Sequence, residues 1–157
     1  MEEKDIFNED NQVKSNWIKW GKIGDKAWGT LISVRDRKSD FEGKGMVKNY
    51  ELKIDGGSFH YFEKVNGRIE TEEQATILEA GSFWNFSGNE GLEAGMKNIK
   101  LGQKVALKFM EEIPSKKKGY SPAKIVRVYA LKDSAGKIVM DEEWLKEEEA
   151  NKFEPLS

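Results

Sequence analysis

Apolar and polar residues alternate with a period of two through most of this chain, a pattern typical of β-strands with one buried face. In residues 104–112, for example, Val105, Leu107 and Phe109 occupy every second position. Glycines, prolines and short polar runs separate the alternating segments. The pattern predicts five strands, at residues 27–37, 47–54, 82–88, 104–112 and 123–131.

The first predicted strand is long and carries Gly29 in its interior, which predicts a bulge or a bend. Strict alternation along this strand puts Leu31, Ser33, Arg35 and Arg37 on one face. The same alternation puts Trp28, Thr30, Ile32 and Val34 on the other face.

A helix is predicted in the region between the second and third strands. Thr71-Glu-Glu-Gln74 fits a capping box, and Gly81 suits the residue that follows a helix, so residues 71–81 are predicted to be helical. The preceding run, residues 55–58 (Asp-Gly-Gly-Ser), predicts a turn that ends the second strand.

Two further helices are predicted from spacing and composition. Leu92, Met96 and Ile99 recur at helical spacing within residues 91–99. Residues 140–149 form a short acidic segment that predicts the third helix.

The order of these elements favours an all-β fold with minor helices. Three strands, a short helix and two more strands form the element order of an OB-fold, a five-stranded Greek-key barrel. The short helix between strands 3 and 4 would plug one end of the barrel, and residues 59–81 would be an insertion between strands 2 and 3. A Tudor- or SH3-like barrel and a small sandwich are the alternatives.

Charge is segregated along the chain although the net charge is only −2. Residues 1–13 hold one lysine and five acids, and residues 132–157 hold four lysines and eight acids. The remainder is basic, which indicates an anionic partner. We therefore divide the chain into an acidic arm (1–13), an OB-fold domain (14–131) and an acidic tail with a short helix (132–157).

Composition argues against several classes of function. The chain has no cysteine, and His60 is its only histidine, so thiolate chemistry and histidine-based zinc sites have little to build on. No nucleotide-binding glycine motif and no catalytic constellation is present. We expect a non-enzymatic cytoplasmic protein without cofactor, bound metal or membrane segment. The sequence does not set its oligomeric state.

Positive charge is concentrated in the two loops that would flank the binding face of an OB-fold, residues 36–47 and 112–122. These lysines and arginines are suited to phosphate binding, and a loop tyrosine is suited to base stacking. The predicted loop residues are Arg37, Lys38, Lys44, Lys116, Lys117, Lys118 and Tyr120.

Residues on the predicted strands complete the candidate groove. Arg35 and Lys53 are expected to project outward and to contact phosphates. Tyr61 is a candidate for stacking, as is either Phe83 or Trp84, because a one-residue change of register would exchange the faces of their strand.

Three stretches resemble the OB-fold single-stranded-DNA-binding proteins encoded by bacteriophages. They are Gly24-Asp-Lys-Ala-Trp-Gly-Thr-Leu-Ile-Ser-Val34, Lys97-Asn-Ile-Lys-Leu-Gly-Gln-Lys-Val105 and Ile113-Pro-Ser-Lys-Lys-Lys-Gly-Tyr120. The resemblance covers roughly residues 17–131. It implies single-stranded-DNA binding in replication or recombination, within a bacterial host cytoplasm.

The acidic tail is similar in kind to the C-terminal tails of single-stranded-DNA-binding proteins. That likeness implies competition for the basic groove, or presentation of Trp144, Phe153 and Leu156 to replication or recombination proteins. A purely solubilising tail is the simpler interpretation.

The sequence thus predicts binding of single-stranded DNA with little sequence preference. A protein-interaction or structural module is the main rival, and a metal-dependent nuclease is a more distant one.

Overall fold

The computed structural model describes residues 2–8, 16–38, 45–65, 68–116 and 123–152, and antiparallel β-structure dominates this part of the chain. Three helices and six strands are present in it. They are α1 (Glu3–Ile6), β1 (Lys26–Lys38), β2 (Met46–Val65), β3 (Arg68–Ile77), β4 (Phe83–Ser87), α2 (Glu90–Met96), β5 (Lys104–Ile113), β6 (Ala123–Ala130) and α3 (Glu142–Lys152).

All six strands belong to one sheet, with the order β3-β2-β1-β5-β6 and with β4 also paired to β2. Every strand pairing in it is antiparallel. Within the described residues no ladder joins β4 to β6, so strand pairing leaves the sheet open there. The prediction of a mostly β protein with short helices is confirmed.

The region between residues 55 and 81 differs most from the prediction. β2 continues through the expected turn at residues 55–58 and pairs with β3, so the predicted helix at 71–81 is wrong. Gly57 has φ +137°, and a Cβ there would come within 2.3 Å of the Lys26 carbonyl oxygen. The glycines of this run thus do not form a turn. Their lack of a side chain allows the backbone of β1 to pass close to β2.

Strand β1 has two irregularities in its pairing with β2. One, between Trp28 and Gly29, fits the predicted bulge, and the other lies between Leu31 and Ser33. Because of the second shift, Leu31 points into the core whereas Ser33 lies opposite Glu51 on the other face. The prediction that Leu31 and Ser33 share a face is therefore wrong.

The core lies on the opposite side of the sheet from these outward residues. Alternating residues of β2 and β5 enter it as the pattern predicts, and α2 contributes Leu92 and Met96. The core side chains are Ile18, Trp20, Ala27, Leu31, Tyr50, Leu52, Ile54, Phe59, Leu78, Phe86, Leu92, Met96, Val105, Leu107, Phe109 and Val126.

Residues 16–20 run along the edge of β4 that β2 leaves free. Trp17 forms a parallel bridge with Asn85, and the Asn85 backbone N–H donates to the Asn16 carbonyl at 2.8 Å. Trp20 packs edge-on against Phe86 with ring centroids 6.5 Å apart. This short segment thereby covers part of the edge at which the sheet is open.

The buried carboxylate of Asp25 fixes the chain just before β1. Asp25 accepts backbone N–H bonds from Gly21, Lys22 and His60 at 3.0 Å each, and His60 Nδ1 lies 2.7 Å from its other oxygen. His60, the only histidine of the sequence, is thus a residue of β2 whose contact with Asp25 is structural, as expected for an ordinary strand residue.

Candidate functional site

Three cross-strand rows of β1, β2 and β4 side chains point away from the core, and the surface that they form is called here the outer face. Directly paired residues of neighbouring strands share a face, so the pairing of β1, β2 and β4 sets these rows. The first row is Thr30, Lys53 and Phe83, the second is Ser33, Glu51 and Asn85, and the third is Arg35, Asn49 and Ser87.

The C-terminal segment covers Thr30 and contacts Lys53 in the first row, whereas Phe83 stays exposed. A cleft of about 290 Å³ separates this row from α3, and Asp141, Glu143, Trp144 and Glu147 line its far side. The Lys53 ammonium lies 2.7 Å from Glu143, and this hydrogen bond is the main cause of a raised Lys53 pKa. The covered row therefore faces a concentration of carboxylates.

Asp141 is the buried anchor of this contact and the N-terminal cap of α3. Its carboxylate accepts a 2.6 Å bond from the Thr30 hydroxyl and a 3.1 Å bond from the Trp144 backbone N–H. Burial alone raises the Asp141 pKa, but these bonds and the charges of Lys104 and Lys53 outweigh burial and lower it to about 2. The carboxylate is thus held in its charged form.

Backbone contacts and one aromatic ring complete the docking of the segment. The Asp141 N–H donates to the Gly102 carbonyl at 2.7 Å, and the Lys104 N–H donates to Val139 at 2.8 Å. Trp144 lies directly over Gly102, where a Cβ would come within 2.2 Å of the indole. The tryptophan predicted to meet partner proteins therefore packs against its own chain.

The second and third rows are open. A pocket of about 120 Å³ lies between them, lined by Trp17, Ser33, Arg35, Asn49, Glu51 and Asn85. Arg35 and Glu51 form no ion pair with each other, and in the described part of the chain neither has a hydrogen-bond or ion-pair partner. This end of the face therefore keeps a free cation and a free carboxylate in one depression.

A small polar network borders this pocket in the third row. Arg37 Nε donates to Asn49 Oδ1 at 3.0 Å, and the guanidinium also donates to Ser87 Oγ at 3.3 Å. The Ser87 hydroxyl donates to the same Asn49 oxygen at 3.0 Å. Arg37 was expected in a loop but lies near the end of β1, beside the outer face.

The register of β4 decides between the two aromatic candidates. Phe83 projects from the outer face and is 51% exposed, whereas Trp84 points to the other face and packs against Phe59 with centroids 5.5 Å apart. Tyr61 also packs against the core side, with its ring 6.3 Å from Phe59. Only Phe83 of these three aromatics belongs to the outer face.

Of the remaining predicted residues, two are exposed at the ends of strands and six lie outside the described part of the chain. Lys38 is exposed at the end of β1, and Lys116 is exposed beyond β5 at the edge of the described chain. The other predicted loop and tail residues lie outside the described residues; they are Lys44, Lys117, Lys118, Tyr120, Phe153 and Leu156.

Sequence reasoning missed several residues of this face. Asn49 and Glu51 stand on the polar side of β2 with Lys53, so the alternation that selected Lys53 already placed them there. Trp17 and Asp141 reach the face through pairing across long sequence distances, which leaves no local signal. Their positions follow only from the folded chain.

Two possible features of function receive no support from the described residues. Within this part of the chain no group of three or more His, Cys, Asp or Glu side chains is placed to hold a metal ion. None of the helices described here is long and apolar enough to cross a membrane.

Comparison of the chain with protein-family models, with curated proteins and with solved structures finds no match.

Proposed function

We propose that this protein is an OB-fold that binds single-stranded DNA with little sequence preference on its outer face. The observation that carries the proposal is the exposed ring of Phe83 beside Lys53, on the same face as Arg35. An aromatic platform next to cations along one face is the combination that non-specific single-strand binders use.

The strand order supports the fold part of the proposal. Without β3, the sheet runs β4-β2-β1-β5-β6, and α2 lies between β4 and β5 in sequence. This order is the one expected of a five-stranded, partly open Greek-key barrel whose helix follows its third strand. The hairpin made by β3 and the second half of β2 is then an insertion between the second and third strands of the barrel.

In this proposal α3 tempers binding. Its carboxylates occupy the position next to Lys53 that a phosphate would take, and Asp141 holds the helix over the first row. DNA and α3 therefore compete for the same cations. Binding protects exposed strands during replication or recombination, and the competition limits how tightly each protein molecule holds them.

The test is fluorescence anisotropy of a labelled oligo-dT titrated with the full chain at low and moderate salt, with duplex DNA as a control. We expect single-strand binding that weakens steeply with salt. Phe83→Ala should lower the affinity at least fivefold, because one base–aromatic stack contributes ~1–3 kcal/mol. Tyr129→Ala is the matched control, since Tyr129 is 41% exposed on β6 and belongs to none of the three rows. Equal losses for the two variants would contradict this assignment of the face.

The rival function is recognition of an acidic protein segment. It is favoured by one observation: the outer face already holds an acidic helix, through Lys53 and Glu143. The double variant Glu143→Gln/Glu147→Gln separates the two functions. We expect it to bind oligo-dT more tightly than the wild type. Failure of both proteins to bind at low salt would favour the rival, and cleavage of the oligonucleotide after addition of Mg²⁺ would overturn the non-enzymatic assignment.

A further inference from the structure

The pocket between the second and third rows combines an aromatic wall with one donor and one acceptor group that have no partner among the residues that the structure describes. Trp17 is 38% exposed and lines the pocket together with Arg35 and Glu51. Arg35 and Glu51 occupy diagonal positions of β1 and β2, where long side chains of opposite charge can pair. Here each charge remains available to a ligand that lies between them.

The size of the pocket limits the ligand. Its volume of about 120 Å³ is well below the roughly 300 Å³ at which pockets for drug-sized molecules begin. It therefore suits a single flat ring system and leaves an attached sugar and phosphate outside. Outside the pocket the Arg37 guanidinium lies nearby, bonded to Asn49 and Ser87.

We infer that this pocket is a nucleobase subsite and that its preferred base is guanine. The inference rests on the proposed binding of single-stranded DNA and adds a base preference at one position of that contact. The Trp17 indole provides a surface on which a base stacks, and stacking by itself tolerates every base. Selectivity arises from Arg35 and Glu51.

Guanine matches the two charged groups better than the other bases do. An arginine is the usual donor to guanine O6 and N7. The two oxygens of a carboxylate accept from the adjacent N1–H and N2–H groups on the Watson–Crick edge of an unpaired guanine. Guanine can therefore satisfy Arg35 and Glu51 together with two bonds each.

The other bases make fewer of these bonds. Thymine offers one ring N–H and two separated carbonyl oxygens, and adenine offers a single amino group beside ring acceptors. Cytosine supplies an amino donor for Glu51 and acceptors for Arg35, but its ring is smaller and its single amino group gives Glu51 only one donor position. Cytosine is thus the nearest competitor, and an experiment must compare it directly with guanine.

The experiment is a competition assay in which unlabelled oligonucleotides of equal length displace labelled oligo-dT from the full-length protein. One competitor is all thymine, and two others carry isolated guanines or isolated cytosines separated by thymines, so that no four-stranded guanine structure forms. We expect the guanine competitor to bind about tenfold more tightly than the thymine one. Equal affinity would overturn the guanine subsite while leaving single-strand binding intact, and a cytosine preference would overturn the choice of base.

Two variants assign the preference to this pocket. Glu51→Gln should reduce the guanine preference to less than about twofold and leave the affinity for oligo-dT nearly unchanged. Glu111→Gln, which removes an exposed carboxylate from β5, should keep the full preference. If Glu51→Gln retained the full preference, another site would have to read the base.

A second measurement does not depend on oligonucleotide binding. Titration of ¹⁵N-labelled protein with dGMP should shift the indole N–H signal of Trp17, and dTMP at the same concentration should shift it much less. Trp17→Ala identifies the signal. Oligonucleotide binding without this shift contradicts the subsite alone, whereas absence of oligonucleotide binding contradicts the proposed function itself.

Discussion

The outer face has a covered part and an open part that lie only one row apart on the same three strands. In the first row, Thr30 is bonded to Asp141 and Lys53 is paired with Glu143. In the open part, Arg35 and Glu51 share a pocket without a partner in the described chain. Neighbouring positions of one sheet thus differ in whether their charged side chains are paired with other side chains of the described chain.

This difference separates structural roles from binding roles. A charge that its own chain satisfies contributes to the fold, and its removal should be measurable as a loss of stability. A charge left free in a depression contributes little to the fold, and its removal should be measurable as a loss of binding.

The largest effect is expected at the anchor of the covered part. Asp141→Ala removes the cap of α3 and leaves the Thr30 hydroxyl without its partner, so the free energy of unfolding should fall by about 3 kcal/mol. Asp133→Ala is the control. Asp133 likewise accepts two hydrogen bonds, in its case both from backbone N–H groups, of Ala135 and Lys137, but it is exposed. Similar losses in urea denaturation would show that burial at Asp141 is not what matters.

A matched pair of glycines tests the packing of Trp144. Gly102 and Gly136 have nearly the same φ, +85° and +78°, but an added Cβ would meet Trp144 at Gly102 and nothing within 4 Å at Gly136. Alanine at either position should cost about 1–2 kcal/mol through its backbone. Gly102→Ala should cost about 2 kcal/mol more because the indole must move. In a Trp144→Ala background this excess should disappear, and its persistence would place the clash elsewhere.

Acid should lower the free energy of unfolding as the Asp141 carboxylate becomes protonated. The Asp141 pKa is about 2 in the folded chain against an ordinary value of 3.8, so the folded state binds this proton less readily than the unfolded state. The contribution of about 2 kcal/mol is complete above about pH 4 and is lost as the pH falls towards 2. The stability difference between wild type and Asp141→Asn should therefore shrink over this range in urea unfolding series. A difference that stays constant would contradict the lowered pKa.

The smallest predicted contrast compares two hydroxyl groups of β1. Thr30→Val removes the donor to the buried Asp141 carboxylate and should lower stability by about 1.5 kcal/mol. Ser33→Ala removes a hydroxyl that lines the open pocket and should change stability by less than about 0.5 kcal/mol. Thermal unfolding of both variants measures the contrast. Equal effects would remove the distinction between the two parts of the face.

Where period-two alternation was regular, the sequence predicted the structure well. Tyr50, Leu52 and Ile54 of β2 are all at most 3% exposed, and the same rule placed Lys53 on the outer face. The alternation rule failed after Leu31, because the pairing of β1 with β2 shifts there by one residue. No residue type in the sequence marks this shift.

The incorrect helix at 71–81 shows the limit of local signals. Gly81 does have φ +86°, as a residue after a helix would, but it lies in the connection between β3 and β4, where its N–H bonds to the Ile54 carbonyl. The capping-box residues instead belong to a strand paired with β2. Pairing with a long neighbouring strand outweighs a helix preference of a few tenths of a kcal/mol per residue.

The candidate site was less predictable than the fold because its parts come from distant regions of the chain. Lys53, Phe83 and Arg35 could be proposed from strand faces alone. Trp17 reaches the pocket only through its bridge with Asn85, and Asp141 reaches Thr30 across 111 positions. Such contacts depend on the complete topology, so local patterns carry no information about them.

The docking of α3 has a consequence for the number of nucleotides that one molecule covers. The helix is joined to β6 by residues 131–141, so its carboxylates meet Lys53 at an effective concentration in the millimolar range. Among the described residues, no such tethered competitor faces the open rows. A strand that binds as proposed engages the open rows and the exposed Phe83 first, and it reaches Lys53 only by displacing the helix. The occluded site size would then follow the docking equilibrium of α3 instead of being a fixed property of the sheet.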